Sequence, residues 1–156
     1  MKIRFLFVGK CDDAEYARGV ERYVERTSRF VPAEIVVVRE ERTGAKADAG
    51  RIRKAEGERL LSALKPRDLV VLCDAGGTER TSEEFARQLR GWLDQSPSSV
   101  AFLVGGAFGL DPSLRARARA ILPLSRMTLP HQLARLVLVE QVYRAVATLK
   151  GVAYSK

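Results

Sequence analysis

Three short segments of this chain combine small polar groups and apolar residues, two of them with glycines, in a way that could hold a ligand through its backbone. The first is Cys73-Asp74-Ala75-Gly76-Gly77. The second is Gly105-Gly106-Ala107-Phe108-Gly109-Leu110. The third is Leu124-Ser125-Arg126-Met127-Thr128-Leu129-Pro130-His131. Glycines let a backbone approach a ligand closely, and peptide N–H and C=O groups can read a planar heterocycle without special side chains. Each segment stands at the end of an apolar run read as a strand, and that repetition at successive strand ends singles the three out.

Two familiar glycine motifs do not fit. Gly105-Gly106-x-x-Gly109 lacks the Gly-x-Gly-x-x-Gly spacing of a dinucleotide site and does not open the chain. Gly9-Lys10-Cys11 lacks the upstream glycine and the Ser/Thr of a phosphate loop. Cys11 and Cys73 are far apart and form no Cys-x-x-Cys pair, so neither a zinc site nor a redox pair is expected, and no metal is assigned. A reducing, cytoplasmic setting follows from that cysteine usage.

The elements that must position these loops alternate. Ile3–Val8 reads as a buried strand. Asp12 or Asp13 can cap a helix to about Arg29, with Tyr16, Val20, Tyr23 and Val24 on one face. Ile35-Val36-Val37-Val38 favours strand within Glu34–Arg39. After a polar loop from Thr43 to Gly50, a charged helix runs to Lys65, where Pro66 ends it. Asp68–Cys73 is a third strand, followed by a helix from Ser82 to about Leu93. Ser99–Val104 is a fourth strand. Asp111-Pro112 opens a short helix to Ala120, and Ile121–Ser125 reads as a fifth strand. A long helix from Pro130 to about Lys150 stops at Gly151. This order predicts an α/β fold, a mostly parallel sheet with helices on both faces, in one domain spanning residues 1–156. Ligands in such sheets sit beyond the carboxyl ends of the strands, where the three loops lie.

The chain has 156 residues, a size at which one core suffices without disulfides or metal. It has no apolar run long enough for a membrane span and no signal-peptide pattern at its start. Its net charge is +8, from 27 basic and 19 acidic residues. From Gln95 onward there are eight basic residues and two acidic ones, Asp111 and Glu140. This asymmetry points to a polyanionic partner meeting the C-terminal part.

The order of the three loops carries a resemblance. Val104-Gly105-Gly106-Ala107-Phe108-Gly109-Leu110, Leu124-Ser125-Arg126-Met127-Thr128-Leu129-Pro130-His131-Gln132 and Val139-Glu140-Gln141-Val142-Tyr143-Arg144-Ala145 stand in the order found in one family. Val8-Gly9-Lys10 and Lys54-Ala55-Glu56-Gly57-Glu58-Arg59-Leu60-Leu61 extend the likeness over essentially the whole chain. The sequence resembles the pseudouridine N3-methyltransferases of large-subunit ribosomal RNA, the RlmH-type branch of the SPOUT superfamily.

The resemblance implies a C-terminal trefoil knot whose loops hold S-adenosylmethionine in a bent shape. It assigns donor contacts to Cys73, Gly105, Leu124, Ser125, Arg126, Met127, Thr128 and Leu129. It implies a homodimer formed along the last helix, with the tail of one subunit near the donor of the other. Tyr154 and Arg135 are then the candidate catalytic groups, and Arg144 and Lys156 the candidate RNA contacts. His131, the lone histidine, is expected to cap or pack. The implied substrate is a pseudouridine in the intersubunit stem-loop of 23S rRNA on assembled ribosomes. The alternative is a ribosome-associated RNA-binding module of the same fold without methyltransferase activity. One departure stands out: the family's tail commonly reads Tyr-His-Lys or Tyr-His-Arg, whereas here it reads Tyr154-Ser155-Lys156.

Overall fold

The computed structural model describes residues 1–154. Five parallel strands form one sheet in the order β2-β1-β4-β3-β5. They are β1 (Lys2–Val8), β2 (Ala33–Val38), β3 (Asp68–Leu72), β4 (Ser99–Val104) and β5 (Ala120–Ile121). Three helices connect strands, α1 (Ala14–Ser28), α2 (Ala49–Ala63) and α3 (Ser82–Asp94), and a fourth, α4 (His131–Leu149), follows β5. The expected α/β fold is therefore observed.

Strand composition explains which strands are central. β3 and β4 are buried along their whole length, as is β1 from Ile3 onward, and their runs are apolar on both sides of the pleat. Alternation then divides the core into two layers. Ile3, Phe5, Phe7, Val100 and Phe102 face α1, α3 and α4, whereas Leu6, Val8, Val70 and Leu103 face α2 and the Pro112–Arg117 turn. Phe102 stacks on Phe5 and meets the edges of Phe85 and Trp92 from α3.

A buried polar network ties the amino ends of the strands together. Arg4 donates to Asp68 at 2.7 Å and to Glu34 at 2.9 Å, and Ser99 donates to the other oxygen of Asp68 at 2.7 Å. Four neighbouring strands are thus pinned at the end opposite the three candidate loops.

Two elements differ from expectation. The fifth strand is only Ala120–Ile121, because its sole partners are Val71 and Leu72. Leu122 adds one bond to the Leu72 carbonyl at 2.7 Å, and Pro123 then has no N–H to offer. The expected short helix is a 3₁₀ turn, Pro112–Arg117, capped by Asp111. At the other caps, Asp13 accepts from the Glu15 and Tyr16 amides, and Thr81 with Glu84 closes a capping box before Ser82, where the helix begins as expected.

Candidate functional site

The three loops converge. Residues 73–75, 104–110 and 124–131 enclose one cleft of about 580 Å³ at the carboxyl ends of β3 and β4. Seven of the expected donor contacts line it: Cys73, Gly105, Leu124, Ser125, Met127, Thr128 and Leu129. Arg126 does not. It projects outward, with its Nε 3.3 Å from Glu79 Oε1.

Local geometry requires the glycines. A Cβ on Gly105 would stand 2.5 Å from the Gly109 carbonyl carbon and 2.8 Å from the Leu110 nitrogen, so the second loop folds back on itself only because residue 105 has no side chain. The return is closed by the Gly109 N–H donating to the Gly106 carbonyl at 3.0 Å, with Gly109 at φ +83°. A Cβ on Gly77 would collide with the Ile121 carbonyl and with Pro123 Cδ, so the first loop crosses directly over the chain leaving β5. Ser125 Oγ accepts from the Met127 amide at 3.0 Å and shapes the third loop.

The titratable groups near the cleft have identifiable states. Burial, assisted by the charge of Asp74, pushes the Cys73 thiol well up, so it remains protonated and acts as a small apolar wall. His131 lines the cleft half-buried. Burial lowers its pKa, the nearby Arg135 charge lowers it further, and Glu40 and Asp12 oppose this. The imidazole is therefore neutral at neutral pH. Behind the second loop, Glu56 of α2 is 4% exposed and accepts from the Glu41 amide at 3.3 Å. Its other oxygen has no partner, and burial raises its carboxyl pKa.

The remaining candidates are placed elsewhere. Arg135, expected among the catalytic groups, is 2% exposed and contributes nothing to the cleft lining. It donates to the Gly9 carbonyl at 2.9 Å and to the Val8 carbonyl, and its guanidinium lies 4.9 Å from the Phe7 ring centroid. Helical spacing is the reason: Arg135, Leu138, Val139 and Val142 share the inward face of α4. Tyr154 lies outside the cleft. Its hydroxyl is 3.1 Å from that of Tyr23, and its ring meets the edge of Tyr143 at 5.0 Å. Arg144 is half-buried and bonded to Glu140 at 2.6 Å. Lys156, and Ser155 before it, lie outside the described residues. Asp74, Pro130, His131 and Ala134 were not among the expected donor contacts, yet all four line the cleft. For Ala134, the signal was its place one turn after Pro130 on the third loop's own helix. Among the described residues, no group of three or more His, Cys, Asp or Glu could hold a metal ion, and no helix is long and apolar enough to cross a membrane.

Comparisons with known proteins give the family of the chain. A family model described as "Predicted SPOUT methyltransferase" matches residues 1–155. A protein of Anaeromyxobacter dehalogenans named ribosomal RNA large subunit methyltransferase H is 44% identical, with both chains covered in full. The protein of that name from Limosilactobacillus reuteri is 38% identical, again with both chains covered in full. A crystal structure of a probable methyltransferase from Bordetella pertussis superposes with a TM-score of 0.54 at 21% identity, covering 90% of this chain and 96% of that one, a likeness of fold. With three loops joined in one cleft and a family model spanning nearly every residue, the chain belongs to the SPOUT methyltransferase family.

Proposed function

We propose that this protein transfers the methyl group of S-adenosylmethionine to N3 of a pseudouridine in the intersubunit stem-loop of 23S rRNA, acting as a homodimer on assembled ribosomes in the cytoplasm. The observation that carries the reading is the convergence of three strand-end loops on one cleft. Two relatives that match over their full length bear the name of a large-subunit rRNA methyltransferase.

The cleft fits the donor. Its volume of about 580 Å³ falls among small-molecule sites, which span roughly 300–1,000 Å³. Gly105 and Gly106 bring backbone to the cleft lining, where an adenine ring could be read by peptide groups, and Leu124 and Leu129 provide apolar walls. His131 is neutral and Arg135 is turned inward, so neither exposes a full charge that would oppose a positive sulfonium. When bound, the donor supplies an electrophilic methyl on a cationic sulfur. Met127 and Thr128 stand at the exposed rim of the cleft, where a base must enter.

The chain's remaining contribution is alignment, which can lower a displacement barrier by about 7–11 kcal/mol. Tyr154 stays a neutral phenol because burial, the hydrogen bond with Tyr23 and the charge of Glu140 all raise its pKa. Its role is therefore to donate a hydrogen bond to the developing anion of the imide, while the N3 proton leaves to solvent water. Because Tyr154 lies outside its own subunit's cleft, it would serve the cleft of a partner copy. Leu133 and Val137, only half-buried on α4, suit that pairing. Arg135 positions the start of α4 against β1, and Arg144 and Lys156 are assigned to RNA. The crossing of Gly77 over Ile121 and Pro123 supports a knotted path for the chain beyond β5.

The test uses ribosomes from a strain lacking this gene. Incubated with protein and S-adenosylmethionine, they should gain one methyl on a pseudouridine-containing 23S fragment in mass analysis, and calorimetry should show donor binding. Donor binding without a methyl gain would favour the inactive RNA-binding module, to which the serine in the tail, Ser155, gives specific motive.

A further inference from the structure

The chain after α4 turns back on itself. Gly151 takes φ +67°, its N–H donates to the Thr148 carbonyl at 3.1 Å, and the Val152 N–H donates to the Ala147 carbonyl at 3.0 Å. This is the left-handed C-terminal turn that glycine permits. It sends the tail back along α4, so that Tyr154 meets Tyr143 and Arg144 rather than leaving into solvent. Terminal residues are usually poorly ordered unless something ties them down.

What ties this one down is a socket made by two helices. The hydroxyls of Tyr154 and Tyr23 are 3.1 Å apart, although the residues are 131 positions apart in sequence. The Tyr143 ring packs edge-on against the Tyr154 ring at 5.0 Å and 89°. The guanidinium of Arg144 lies 4.5 Å from the Tyr154 centroid, itself held by two bonds to Glu140 at 2.6 and 3.1 Å. On the far side, Arg26 lies 5.7 Å from the Tyr23 centroid and 5.8 Å from that of Tyr143, which fixes the two rings relative to each other. Tyrosine suits such an anchor because it brings a large rigid area at the cost of few torsions.

We propose that Tyr23 of α1 is a positioning residue for methyl transfer: with Tyr143 and Arg144 it anchors Tyr154 on the tail's own subunit and fixes the direction of its phenol. This inference rests on the reading that Tyr154 takes part in the reaction. It separates two tasks that one contact set could otherwise blur. The rings and the guanidinium hold the tail in place, and the Tyr23 hydroxyl sets where the Tyr154 O–H points. Losing only that hydroxyl therefore disturbs the aligned state while leaving the donor cleft intact, since Tyr23 contributes nothing to its lining.

The experiment compares Tyr23→Phe, Tyr154→Phe and the double variant in the full-length protein, using ribosomes that lack the methyl group. Tyr23→Phe keeps the ring for Arg26 and Tyr143. It should lower kcat about tenfold, with the donor Kd, the donor KM and the thermal midpoint unchanged. Tyr154→Phe should lose at least as much, and the double variant no more than Tyr154→Phe alone, because coupled residues act as one unit. In the NMR spectrum, the Tyr154 ring protons, displaced by the neighbouring Tyr143 ring, should move toward their free-peptide positions in Tyr23→Phe. Full activity in Tyr154→Phe would overturn the role given to Tyr154, and the inference with it. An impaired Tyr154→Phe beside a fully active Tyr23→Phe with unmoved Tyr154 resonances would overturn the inference alone. A parallel drop in kcat, donor affinity and thermal midpoint in Tyr23→Phe would reduce Tyr23 to general packing and also overturn it.

Discussion

His131 and Arg135 stand one helical turn apart, and the fold gives them opposite surroundings. The imidazole of His131 lines the cleft proposed for the donor, with its pKa lowered chiefly by burial and next by the Arg135 charge. A donor with a positive sulfur tolerates a neutral ring there and is repelled by a protonated one. Donor affinity should therefore fall as the pH drops from 7 toward 5, by about tenfold at the separations a cleft imposes. His131→Gln should flatten that dependence in calorimetric titrations. The stability effect has the same sign: the unfolded ring takes its proton at the ordinary value, above the folded one, so stability is lost as the pH falls through that window. Arg135 faces inward on the Val8 and Gly9 carbonyls. Arg135→Met leaves those carbonyls unpaired and should cost about 3 kcal/mol in urea unfolding, with donor affinity within about twofold where the protein is folded. Unchanged stability with abolished methyl transfer would return Arg135 to the reacting groups that its sequence context suggested.

The decisive element-scale feature is the contact between the loop after β3 and the chain leaving β5. Both are short, and they meet where Gly77 lies against Ile121 and Pro123. The neighbour there is backbone, which cannot swing aside as a flexible side chain can. Gly77→Ala should cost about 2–3 kcal/mol through overpacking and should weaken donor binding, because Cys73 and Leu124 on the two strands of the crossing both line the cleft. Gly91→Ala makes the matched control. Gly91 lies in α3 with nothing within 4 Å of its added Cβ, so alanine there should stabilise by about 1 kcal/mol. Thermal unfolding of the two variants should move in opposite directions. If Gly77→Ala shifts upward like Gly91→Ala, the crossing is looser than the geometry implies.

At the scale of the whole molecule, the two ends of the sheet do different work. The Arg4–Asp68–Ser99 network fixes the amino ends, and the carboxyl ends are left to loops that hold the cleft. The charge asymmetry of the sequence also changes meaning once the chain is folded. Arg115 faces Asp74, Arg126 faces Glu79 and Arg144 faces Glu140, while Arg135 is buried. Arg117 donates to the carbonyls of Lys65, Pro66 and Asp68. Much of the basic excess of the C-terminal part is thus partnered within the chain. Arg115 and Arg126 nonetheless stay exposed, so their ion pairs leave these side chains open to an anionic partner.

The sequence by itself determined the alternation of strands and helices, the apolar runs that had to be central, and the three candidate strand ends, two of them rich in glycine. Each of these is set by local stereochemistry or by a periodicity within one element. The strand order was not legible in that way, and neither was the crossing at Gly77, which depends on two segments some 44 residues apart. The inward turn of Arg135 was half-legible in its spacing with Leu138 and Val142 but was outweighed by its charge. The capture of Tyr154 by Tyr23 was invisible, since nothing local to either residue records a partner 131 positions away. Tertiary structure decided these because they are contacts between elements, fixed only when the sheet has set the distances that separate its helices and loops.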